Sequence, residues 1–388
     1  MTSFTGLGCM SGSSLDGLDL CHVEFTGDIE TDIWGYHILE AITVPYSPEL
    51  TERLRHAAKL SGEELIKLHV EYGHYVGTTV KEFLKDKQVD FVASHGHTVF
   101  HQPHLGYTFQ LGDGETTASY LNSPYVCNFR NKDVALGGQG APLVPNGEKF
   151  LFSANDICIN LGGIANIGLK GQRGYDICPC NSVLNKLART TDPSLNQDTD
   201  GNIAAKGTVI PEVLDQLETL AFYTKEPPKS LGAEWIEEHI EPILDQRVHS
   251  IPDLMRTFVE HVVMRLKDAC VVNSSQLSSD VVPILVTGGG AFNKFLMDQL
   301  KKALRGTRME LEKVDDETVC FKEALIFAFL GLRCILGEEN VMSCITGSRC
   351  DSVSGSIHRP LSSDGVPAKF KQCYFEFKRS SVHNMSVG

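Results

Sequence analysis

The sequence lacks any long apolar run. No uninterrupted apolar stretch reaches the ~18 residues that a membrane-spanning helix requires, and residues 1–28 lack the positive and apolar segments of a secretion signal. Basic residues are outnumbered as well: the sequence has 35 Lys and Arg against 49 Asp and Glu, which gives a formal net charge of −14. Phosphate backbones recruit basic surfaces. These absences predict a cytoplasmic protein with neither a membrane nor a nucleic-acid partner.

Paired cysteines and a Walker-type phosphate loop are missing as well. The twelve cysteines are scattered, many of them inside apolar stretches, which favours reduced, buried thiols over a disulfide framework. The close pair Cys178 and Cys180 has the spacing of neither a redox site nor a zinc knuckle. No Gly-x-x-x-x-Gly-Lys-Ser/Thr motif occurs, so a nucleotide would need another kind of loop.

What the sequence does contain is a hairpin with a small-residue tip near its beginning. Apolar stretches predict a strand over residues 4–10 and a return strand over residues 17–25. At the tip, Gly12 allows close approach, and the amides and hydroxyls of the neighbouring serines could face an anion. Asp16 and Asp19 could hold a cation beside that anion. An ordinary hairpin turn explains the same residues, since Gly and Ser dominate turns for conformational reasons.

The hairpin pattern recurs later in the chain. Residues 156–170 repeat the order of apolar strand, glycine-bearing tip and apolar return strand, with Gly162 and Gly163 at the tip. A third tip, at residues 286–293, follows an apolar run and precedes a helix-like stretch, which suits a strand-to-helix turn at a nucleotide. Two half-sites in two domains are therefore predicted, and a chain of 388 residues is long enough for both. The candidate nucleotide contacts of the third tip are Gly288, Gly289, Gly290 and Asn293.

Four histidines cluster after the next predicted strand, at positions 95, 97, 101 and 104. Loops at strand ends are where α/β sheets bind ligands. The irregular spacing of these histidines argues against a metal site, so we expect His97 to contact a polar substrate. Arg130 follows a later strand and precedes a glycine-rich loop that contains Gln139. A loop of this kind suggests a hinge beside a cleft, and we place the domain boundary between residues 129 and 130.

Two carboxylates are candidate catalytic groups. Asp176 follows an apolar return strand, so we expect it at a strand end that faces the same cleft as the glycine tips, as a base. The alternative is that Asp176 caps the helix predicted over residues 182–189. Glu323 lies in the first turn of a helix predicted over residues 321–336, where it could simply favour the helix dipole. Beyond residue 360 the polar, irregular sequence predicts a mobile tail over residues 361–388.

Taken together, these segments resemble anhydro-N-acetylmuramic acid kinases. The resemblance covers about residues 5–360 and is carried by residues 10–19, 95–99, 137–145, 160–166 and 227–230. It implies an α/β fold of two related actin-like (ribonuclease H-like) domains, residues 1–129 and 130–360, that flank a nucleotide and substrate cleft. It also implies a reaction of cell-wall recycling: water opens the 1,6-anhydro ring while ATP phosphorylates O6, giving N-acetylmuramic acid 6-phosphate.

The resemblance implies roles for individual residues. Asp176 matches the aspartate of a family segment that reads Asp-Thr-Gly-Pro-x-Asn, and it would be the base that activates water. Glu323 is the second candidate for a catalytic carboxylate. Asp16 and Asp19 would bind Mg²⁺, and His97, Arg130 and Gln139 are expected to contact the substrate. The residues expected to bind ATP are Gly12, Ser13, Ser14, Leu15, Asp16, Gly17, Leu18, Asp19, Gly162, Gly163, Gly288, Gly289, Gly290 and Asn293.

The sequence departs from the family pattern in four segments. Ser13 replaces a threonine, His97 a glutamine and Asn128 an aspartate, and Ile177 and Cys178 stand where the segment of Asp176 has Thr-Gly. A kinase of the same fold that acts on another sugar or acid would share the glycine tips. A non-catalytic homologue that only binds nucleotide would keep the tips without a working carboxylate, and Asp176 and Glu323 argue against it. The expected ligands are ATP, Mg²⁺ and an anhydro amino sugar. The sequence leaves open whether the protein forms a homodimer.

Overall fold

The computed structural model describes residues 2–12, 14–28, 31–170, 172–227, 229–275, 277, 279–312 and 314–360. These residues form two compact units. Unit 1 contains the chain up to Phe152 and again from Phe321, and unit 2 is Ser153–Cys320. The predicted tail over residues 361–388 lies outside the described residues.

The strands and helices are numbered in chain order. The strands of the described residues are β1 Thr2–Met10, β2 Gly17–Asp28, β3 Ile33–Pro45, β4 Phe91–Ser94, β5 His97–Gln102, β6 Tyr107–Leu111, β7 Tyr125–Cys127, β8 Ile157–Leu161, β9 Ile164–Leu169, β10 Arg173–Pro179, β11 Val282–Thr287, β12 Met309–Leu311 and β13 Ser356–His358. The α-helices are α1 Pro48–Arg55, α2 Gly62–Leu84, α3 Gly114–Ala118, α4 Asn131–Ala135, α5 Val144–Leu151, α6 Asn181–Thr191, α7 Pro211–Glu218, α8 Ala233–His239, α9 Ile251–Ser274, α10 Lys294–Ala303, α11 Asp316–Leu336 and α12 Ser343–Thr346.

The sheet of unit 1 is built on the predicted hairpin. β1 and β2 pair antiparallel from Thr2 opposite Gly27 to Met10 opposite Asp19. β3 pairs antiparallel with β2, while β4 lies parallel to β1. The full order is β13-β7-β4-β1-β2-β3, and β5 and β6 form a separate two-stranded sheet. The loop after β4, where the histidines cluster, is only two residues long, because His97 already begins β5.

The sheet of unit 2 repeats this arrangement. Its order is β10-β9-β8-β11-β12, with β8, β9 and β10 in an antiparallel meander and β11 and β12 following in parallel. In unit 1, the strands β3-β2-β1-β4-β7 have the same order and the same directions. The α/β class and the two related units that the resemblance implied are confirmed.

Local sequence explains why α2 forms against the first sheet. Ser61 and Glu64 make a capping box at its N-terminus. Apolar residues then recur every four positions, so that they share one helix face. That face, Leu68, Tyr72, Val76 and Val80, is buried in the core of unit 1.

α11 packs directly on β1, and Gly8 makes this approach feasible. A Cβ built on Gly8 would lie 1.9 Å from the backbone oxygen of Ala324, which no side chain could tolerate. Ala324 follows Glu323 in the chain, so this contact brings the backbone next to the predicted catalytic residue close to the hairpin strand. The helix begins at Asp316 rather than at the predicted residue 321.

The compact units divide at other places than the predicted boundary between residues 129 and 130. Unit 1 continues through α4 and α5 as far as Phe152, and the chain returns to it at Phe321 within α11. The return is completed by β13, which pairs with β7 although more than 200 residues separate them. Pairings this distant in sequence leave no local pattern. Among the described helices, none is long and apolar enough to cross a membrane.

Candidate active site

The tip between β1 and β2 leaves room for an anion. Gly12 is partly exposed, and a Cβ built on it would find its nearest non-adjacent atom, Ser14 Oγ, at 3.5 Å. Ser14 Oγ donates to Asp16 Oδ1 at 2.7 Å, and Leu15 adopts a positive φ of 58°. Ser13 lies outside the described residues. The turn is therefore open at Gly12 and folded back on a carboxylate at Asp16.

The next two residues of the predicted ATP loop belong to the sheet. Gly17 is buried at the start of β2, and Leu18 is 1% exposed within the apolar core. A contact between Leu18 and a ligand would therefore have to come from its backbone.

Asp19 is a half-buried carboxylate among other carboxylates. Its pKa is raised to about 6, chiefly by burial and also by the negative charges of Asp16 and Glu323, against the Thr43 hydroxyl, which donates to Asp19 Oδ1 at 2.6 Å and lowers the pKa. No group of three or more His, Cys, Asp or Glu side chains among the described residues is placed to hold a metal ion. Two carboxylates are nevertheless a common protein contribution to a Mg²⁺ site, because substrate phosphates supply further ligands. Asp16 and Asp19 fit that pattern.

Glu323 lies on α11, well inside the helix. Its distance from the first residue, Asp316, excludes the alternative that it merely stabilises the first turn. Burial raises the pKa of Glu323, the positive charges of Lys322 and Arg130 lower it, and Glu148 raises it. Lys322 is itself buried and forms an ion pair of 2.7 Å with Glu148. The charges around Glu323 thus include both signs.

Arg130 is held by two neighbours within unit 1. Its Nε donates to His95 Nε2 at 2.9 Å, and its Nη1 donates to the backbone oxygen of Gly140 at 2.6 Å. Burial lowers the pKa of Arg130 to about 10, which leaves it charged at neutral pH, and Glu323 opposes the shift. His95 was named in the histidine cluster but given no role of its own from the sequence, although it stands in the same His-Gly-His segment as His97. Its pKa lies well below the ordinary value because of burial and the Arg130 charge.

His97 is buried beside the hairpin tip. Its Nδ1 lies 2.9 Å from Ser11 Oγ, and burial lowers its pKa to about 4, so the ring is neutral at neutral pH. Gln139 is exposed, and its backbone N–H donates to the oxygen of Thr346 at 2.8 Å. The glycine loop around it is anchored on buried Asp133, which accepts from the Gly140 N–H at 2.7 Å.

In unit 2, Asp176 lies inside β10 at an irregularity between Asp176 and Cys178, and not at a strand end as predicted. The N–H of Leu231 donates to Asp176 Oδ2 at 2.8 Å, and the Asp176 N–H donates to the oxygen of Lys229 at 3.1 Å. Burial raises the pKa of Asp176 to about 6, and the Leu231 hydrogen bond lowers it. The irregularity explains the misplacement, because an apolar pattern does not show where a strand bulges.

The helix-cap alternative for Asp176 is wrong. The N-cap of α6 is Cys180, and no side chain caps it. The backbone oxygens of the Gly162–Gly163 tip accept the first N–H groups instead: Gly163 O accepts from Cys180 at 2.8 Å and Gly162 O from Asn181 at 3.1 Å. The second glycine tip therefore stabilises the start of a helix through its carbonyl groups.

Polar residues form a row across the sheet of unit 2. Thr287 on β11 lies opposite Asn160 on β8, Asn160 opposite Asn166 on β9, and Asn166 opposite Asp176 on β10. Opposite residues of neighbouring strands share a face of the sheet. Asp176 thus ends a row of neutral hydrogen-bonding side chains, and the two asparagines were not singled out from the sequence.

The loop that contacts Asp176 is anchored by Lys229. Its ammonium lies 4.9 Å from the ring centre of Phe222 and 5.7 Å from that of Tyr175, and it donates to the oxygen of Phe222 at 3.4 Å. Cations are attracted to aromatic faces. This anchoring fixes the backbone from which Leu231 reaches Asp176.

The third glycine tip turns the chain from β11 towards α10. Gly288 has a φ of +83°, and a Cβ built on it would lie 2.5 Å from Asn160 Oδ1, so this position requires glycine. Asn293 caps α10 by accepting from the Leu296 N–H at 3.0 Å. Gly289 is exposed and Gly290 buried. Gly289 and Asn293 line a cavity of about 90 Å³, together with Asn181, Leu184, Asn185, Gln197, Asp198, Thr199, Asp200 and Phe292.

Comparison with known proteins gives a consistent result. A family model for anhydro-N-acetylmuramic acid kinase matches residues 5–360. The chain is similar to the anhydro-N-acetylmuramic acid kinases of Aliivibrio fischeri (32% identical, covering 91% of this chain and 98% of the relative) and Francisella tularensis subsp. novicida (31%, 91% and 98%). A ROK family glucokinase from Streptomyces griseus, solved with glucose and AMPPNP, is similar at 16% identity and a TM-score of 0.38, covering 84% of this chain and 98% of that one. That last likeness is too distant to carry an argument.

Proposed function

Because the chain belongs to the anhydro-N-acetylmuramic acid kinase family, we propose that it opens the 1,6-anhydro ring of anhydro-N-acetylmuramic acid with water and phosphorylates O6 with ATP. The products are N-acetylmuramic acid 6-phosphate and ADP, and the reaction belongs to cytoplasmic recycling of the cell wall. The observation that carries this proposal is the environment of Asp176. Its carboxylate is half-buried, has a raised pKa and accepts a hydrogen bond from the backbone N–H of Leu231.

Asp176 is the proposed general base. In the reaction, a water oxygen bonds to C1 and the bond between C1 and O6 breaks, while O6 bonds to the γ-phosphorus and the bond to ADP breaks. The water proton needs an acceptor, and a carboxylate is the usual one at an anomeric carbon. A pKa of about 6 leaves Asp176 ionised at neutral pH and more basic than an exposed aspartate. The Leu231 N–H bonds only one carboxylate oxygen, Oδ2.

Nucleotide contacts are proposed in each unit. The open tip at Gly12, with Ser13 and Ser14, is proposed to contact the phosphates of ATP. Gly289 and Asn293, which line the cavity of unit 2, are proposed to contact its nucleoside. Mg²⁺, held by Asp16, Asp19 and phosphate oxygens, would neutralise charge on the transferred group. Further proposed contacts in these tips are Leu15, Gly17, Leu18, Gly162, Gly163, Gly288 and Gly290.

Charged and polar groups of unit 1 are proposed to bind the sugar. Arg130, fixed by His95 and Gly140, presents a cation that a substrate carboxylate could meet. His97 and Gln139 are the remaining proposed sugar contacts. Glu323, with a raised pKa, is the second carboxylate available for proton transfer.

A second function is a kinase of the same fold that acts on another sugar. The observation in its favour is His97, which stands in a substrate-contact position where the family pattern has glutamine. A histidine ring and an amide differ in shape and in the number of donors. The substrate could therefore differ while the chemistry stayed the same.

One experiment tests both functions. Purified protein is incubated with ATP, Mg²⁺ and a panel of anhydro and free amino sugars in ¹⁸O-labelled water, and products are identified by mass spectrometry. Ring opening requires one label at C1 of a phosphorylated amino sugar, whereas simple ATP hydrolysis labels phosphate. Product kept in labelled water without enzyme controls for exchange at C1. Phosphorylation of a free sugar only, without turnover of the anhydro sugar, would replace the first function by the second.

A further inference from the structure

Four buried side chains in unit 1 form a continuous line of hydrogen bonds. The Tyr72 and Tyr46 hydroxyls are 2.7 Å apart, the Tyr46 hydroxyl donates to Ser11 Oγ at 2.6 Å, and Ser11 Oγ lies 2.9 Å from His97 Nδ1. Their exposures are 0% for Tyr72, 8% for Tyr46, 2% for Ser11 and 6% for His97. The line connects α2 and the first residue after β3 to the first residue after β1 and the first residue of β5.

Counting hydrogens along this line gives it a direction. Tyr46 gives its single hydroxyl hydrogen to Ser11, so in the contact between the two tyrosines the hydrogen must come from Tyr72. Ser11 then accepts from Tyr46 and still has its own hydrogen to donate. The nitrogen of His97 is the acceptor within reach.

The opposite arrangement, with the hydrogen on His97 Nδ1, is less favourable for Ser11. If His97 Nδ1 carried the hydrogen, Ser11 Oγ would accept from both Tyr46 and His97. Its own hydrogen would then be left to the Tyr72 hydroxyl, which also lies near Ser11 but already takes part in the contact with Tyr46. The direct contact of 2.9 Å between Ser11 Oγ and His97 Nδ1 favours a bond from Ser11 to the ring, with Nδ1 as the unprotonated nitrogen.

We propose that Tyr72, Tyr46 and Ser11 hold His97 in the tautomer with hydrogen on Nε2, and that His97 thereby recognises a substrate oxygen that can only accept. No hydrogen bond to His97 Nε2 is formed within the described part of the chain. The ring is neutral at neutral pH, because burial lowers its pKa to about 4. A neutral ring with a fixed tautomer presents a single donor.

The second half of this inference rests on the proposed function. The glutamine of the family pattern offers both a donor and an acceptor to a ligand, whereas His97 offers a donor alone. An acyl carbonyl or a carboxylate oxygen of the sugar suits it, and a hydroxyl that must donate does not. Tyr46 and Tyr72 are therefore positioning residues, since they act on the substrate only through Ser11 and His97.

The tautomer can be measured without any substrate. In protein with ¹⁵N-labelled histidine, long-range ¹H–¹⁵N correlation spectra distinguish a protonated from an unprotonated ring nitrogen. We expect His97 in the parent protein, assigned by its loss in His97→Gln, to show an unprotonated Nδ1 and a protonated Nε2 at neutral pH. A protonated Nδ1 in the parent would overturn the proposal, whatever the activity of the enzyme.

A matched pair of variants tests the positioning role. Tyr46→Phe removes the hydroxyl that donates to Ser11, so the Nδ1-protonated form should appear in its spectrum. Tyr75→Phe makes the same change in a ring that packs against Tyr46 and Tyr72 but lies outside the line of hydrogen bonds, and it should leave the tautomer unchanged. Equal spectra for both variants would show that Tyr46 does not control the ring. The parent spectrum decides the tautomer even if Tyr46→Phe is unstable.

Kinetics test the substrate half. Losing one oriented hydrogen bond should raise the KM for the sugar by about fivefold in Tyr46→Phe, with the KM for ATP and the parameters of Tyr75→Phe unchanged. A rise in the KM for ATP instead would show that His97 does not face the sugar. If the tautomer is as expected but no anhydro sugar is turned over, the proposed function fails and the hydrogen-bond assignment stands.

Discussion

Asp19 of unit 1 and Asp176 of unit 2 both have a raised pKa, but the groups around them differ. Burial raises both to about 6. Asp19 accepts from a hydroxyl and lies near two further carboxylates, whereas Asp176 accepts from a backbone N–H, and no other charge contributes to its shift. The same pKa can therefore arise in sites suited to different chemistry.

The difference indicates what each carboxylate can do. A carboxylate among like charges is stabilised most by a cation, which lowers its pKa and keeps it ionised. An isolated, half-buried carboxylate is stabilised most by a proton, which is the property of a base. The strand positions differ in the same way: Asp19 lies on the second strand opposite Thr43, and Asp176 on the third strand opposite Asn166. The repeated sheets thus carry their aspartates on different strands.

The largest expected effect concerns the tip beside Asp19. Gly12→Val should abolish ATP use without unfolding the protein, because a branched side chain fills the space for phosphate and touches no core residue. Gly12→Ala, which adds only one carbon, should have an intermediate KM for ATP. Nucleotide binding is measured by calorimetry and folding by melting temperature. Normal binding by Gly12→Val would remove the phosphate role from this tip and leave Asp19 as an ordinary sheet residue.

Asp176→Asn should lower kcat by about 10²- to 10⁴-fold, the usual contribution of a general base. Its melting temperature at neutral pH should be equal to or above that of the parent, because the change removes a half-buried charge and an amide oxygen can still accept from Leu231. Asp192→Asn is the matched control, since Asp192 is exposed and its carboxylate accepts from the N–H and the hydroxyl of Ser194. If Asp176→Asn turned over within a few-fold of the parent rate, Asp176 would not be the base, and Glu323 would be the next candidate.

Asp19→Asn separates the two aspartates by their response to Mg²⁺. The Mg²⁺ concentration for half-maximal rate should rise by about 10- to 100-fold, at least as much as outer-shell changes typically cost a metal site. Asp176→Asn should leave that concentration unchanged, measured on its residual activity. An equal Mg²⁺ requirement in Asp19→Asn and the parent would contradict the assignment of Asp19 to the metal.

The smallest expected effect is a change in the pH profile. Asp176 must be ionised to accept a proton, so kcat should rise as pH increases through about 6. Asp19 would add a second step near the same pH at low Mg²⁺, and saturating Mg²⁺ should remove that step by holding Asp19 ionised. A profile that keeps both steps at saturating Mg²⁺ would contradict the comparison.

The same pKa values fix the sign of a stability change. Between about pH 4 and pH 6, both carboxyl groups bind more protons in the folded protein than in the unfolded chain. The free energy of unfolding should therefore fall as pH rises through this window, and each Asp→Asn variant should show a smaller fall. Denaturant titrations at several pH values, without Mg²⁺, measure it.

The sequence by itself determined the elements whose signal is local. The apolar stretches around the first tip predicted β1 and β2, and the recurrence of that pattern predicted the related second unit. α2 has a local signal of the same kind, because its apolar face and its Ser61 cap are set by neighbouring residues. The sequence also identified Asp176 and Glu323 as candidate catalytic carboxylates, but it did not show their burial or their hydrogen-bond partners.

Tertiary structure decided everything that depends on distant residues. The return of the chain to unit 1 at Phe321 rests on pairings such as β13 with β7, and the contact between His95 and Arg130 joins residues 35 positions apart. Whether Asp176 caps a helix or stays half-buried in a strand depends on which backbone groups reach it, and Leu231 lies 55 residues away. Burial and hydrogen bonding set a pKa, and both are created by packing across the fold rather than by the order of the chain.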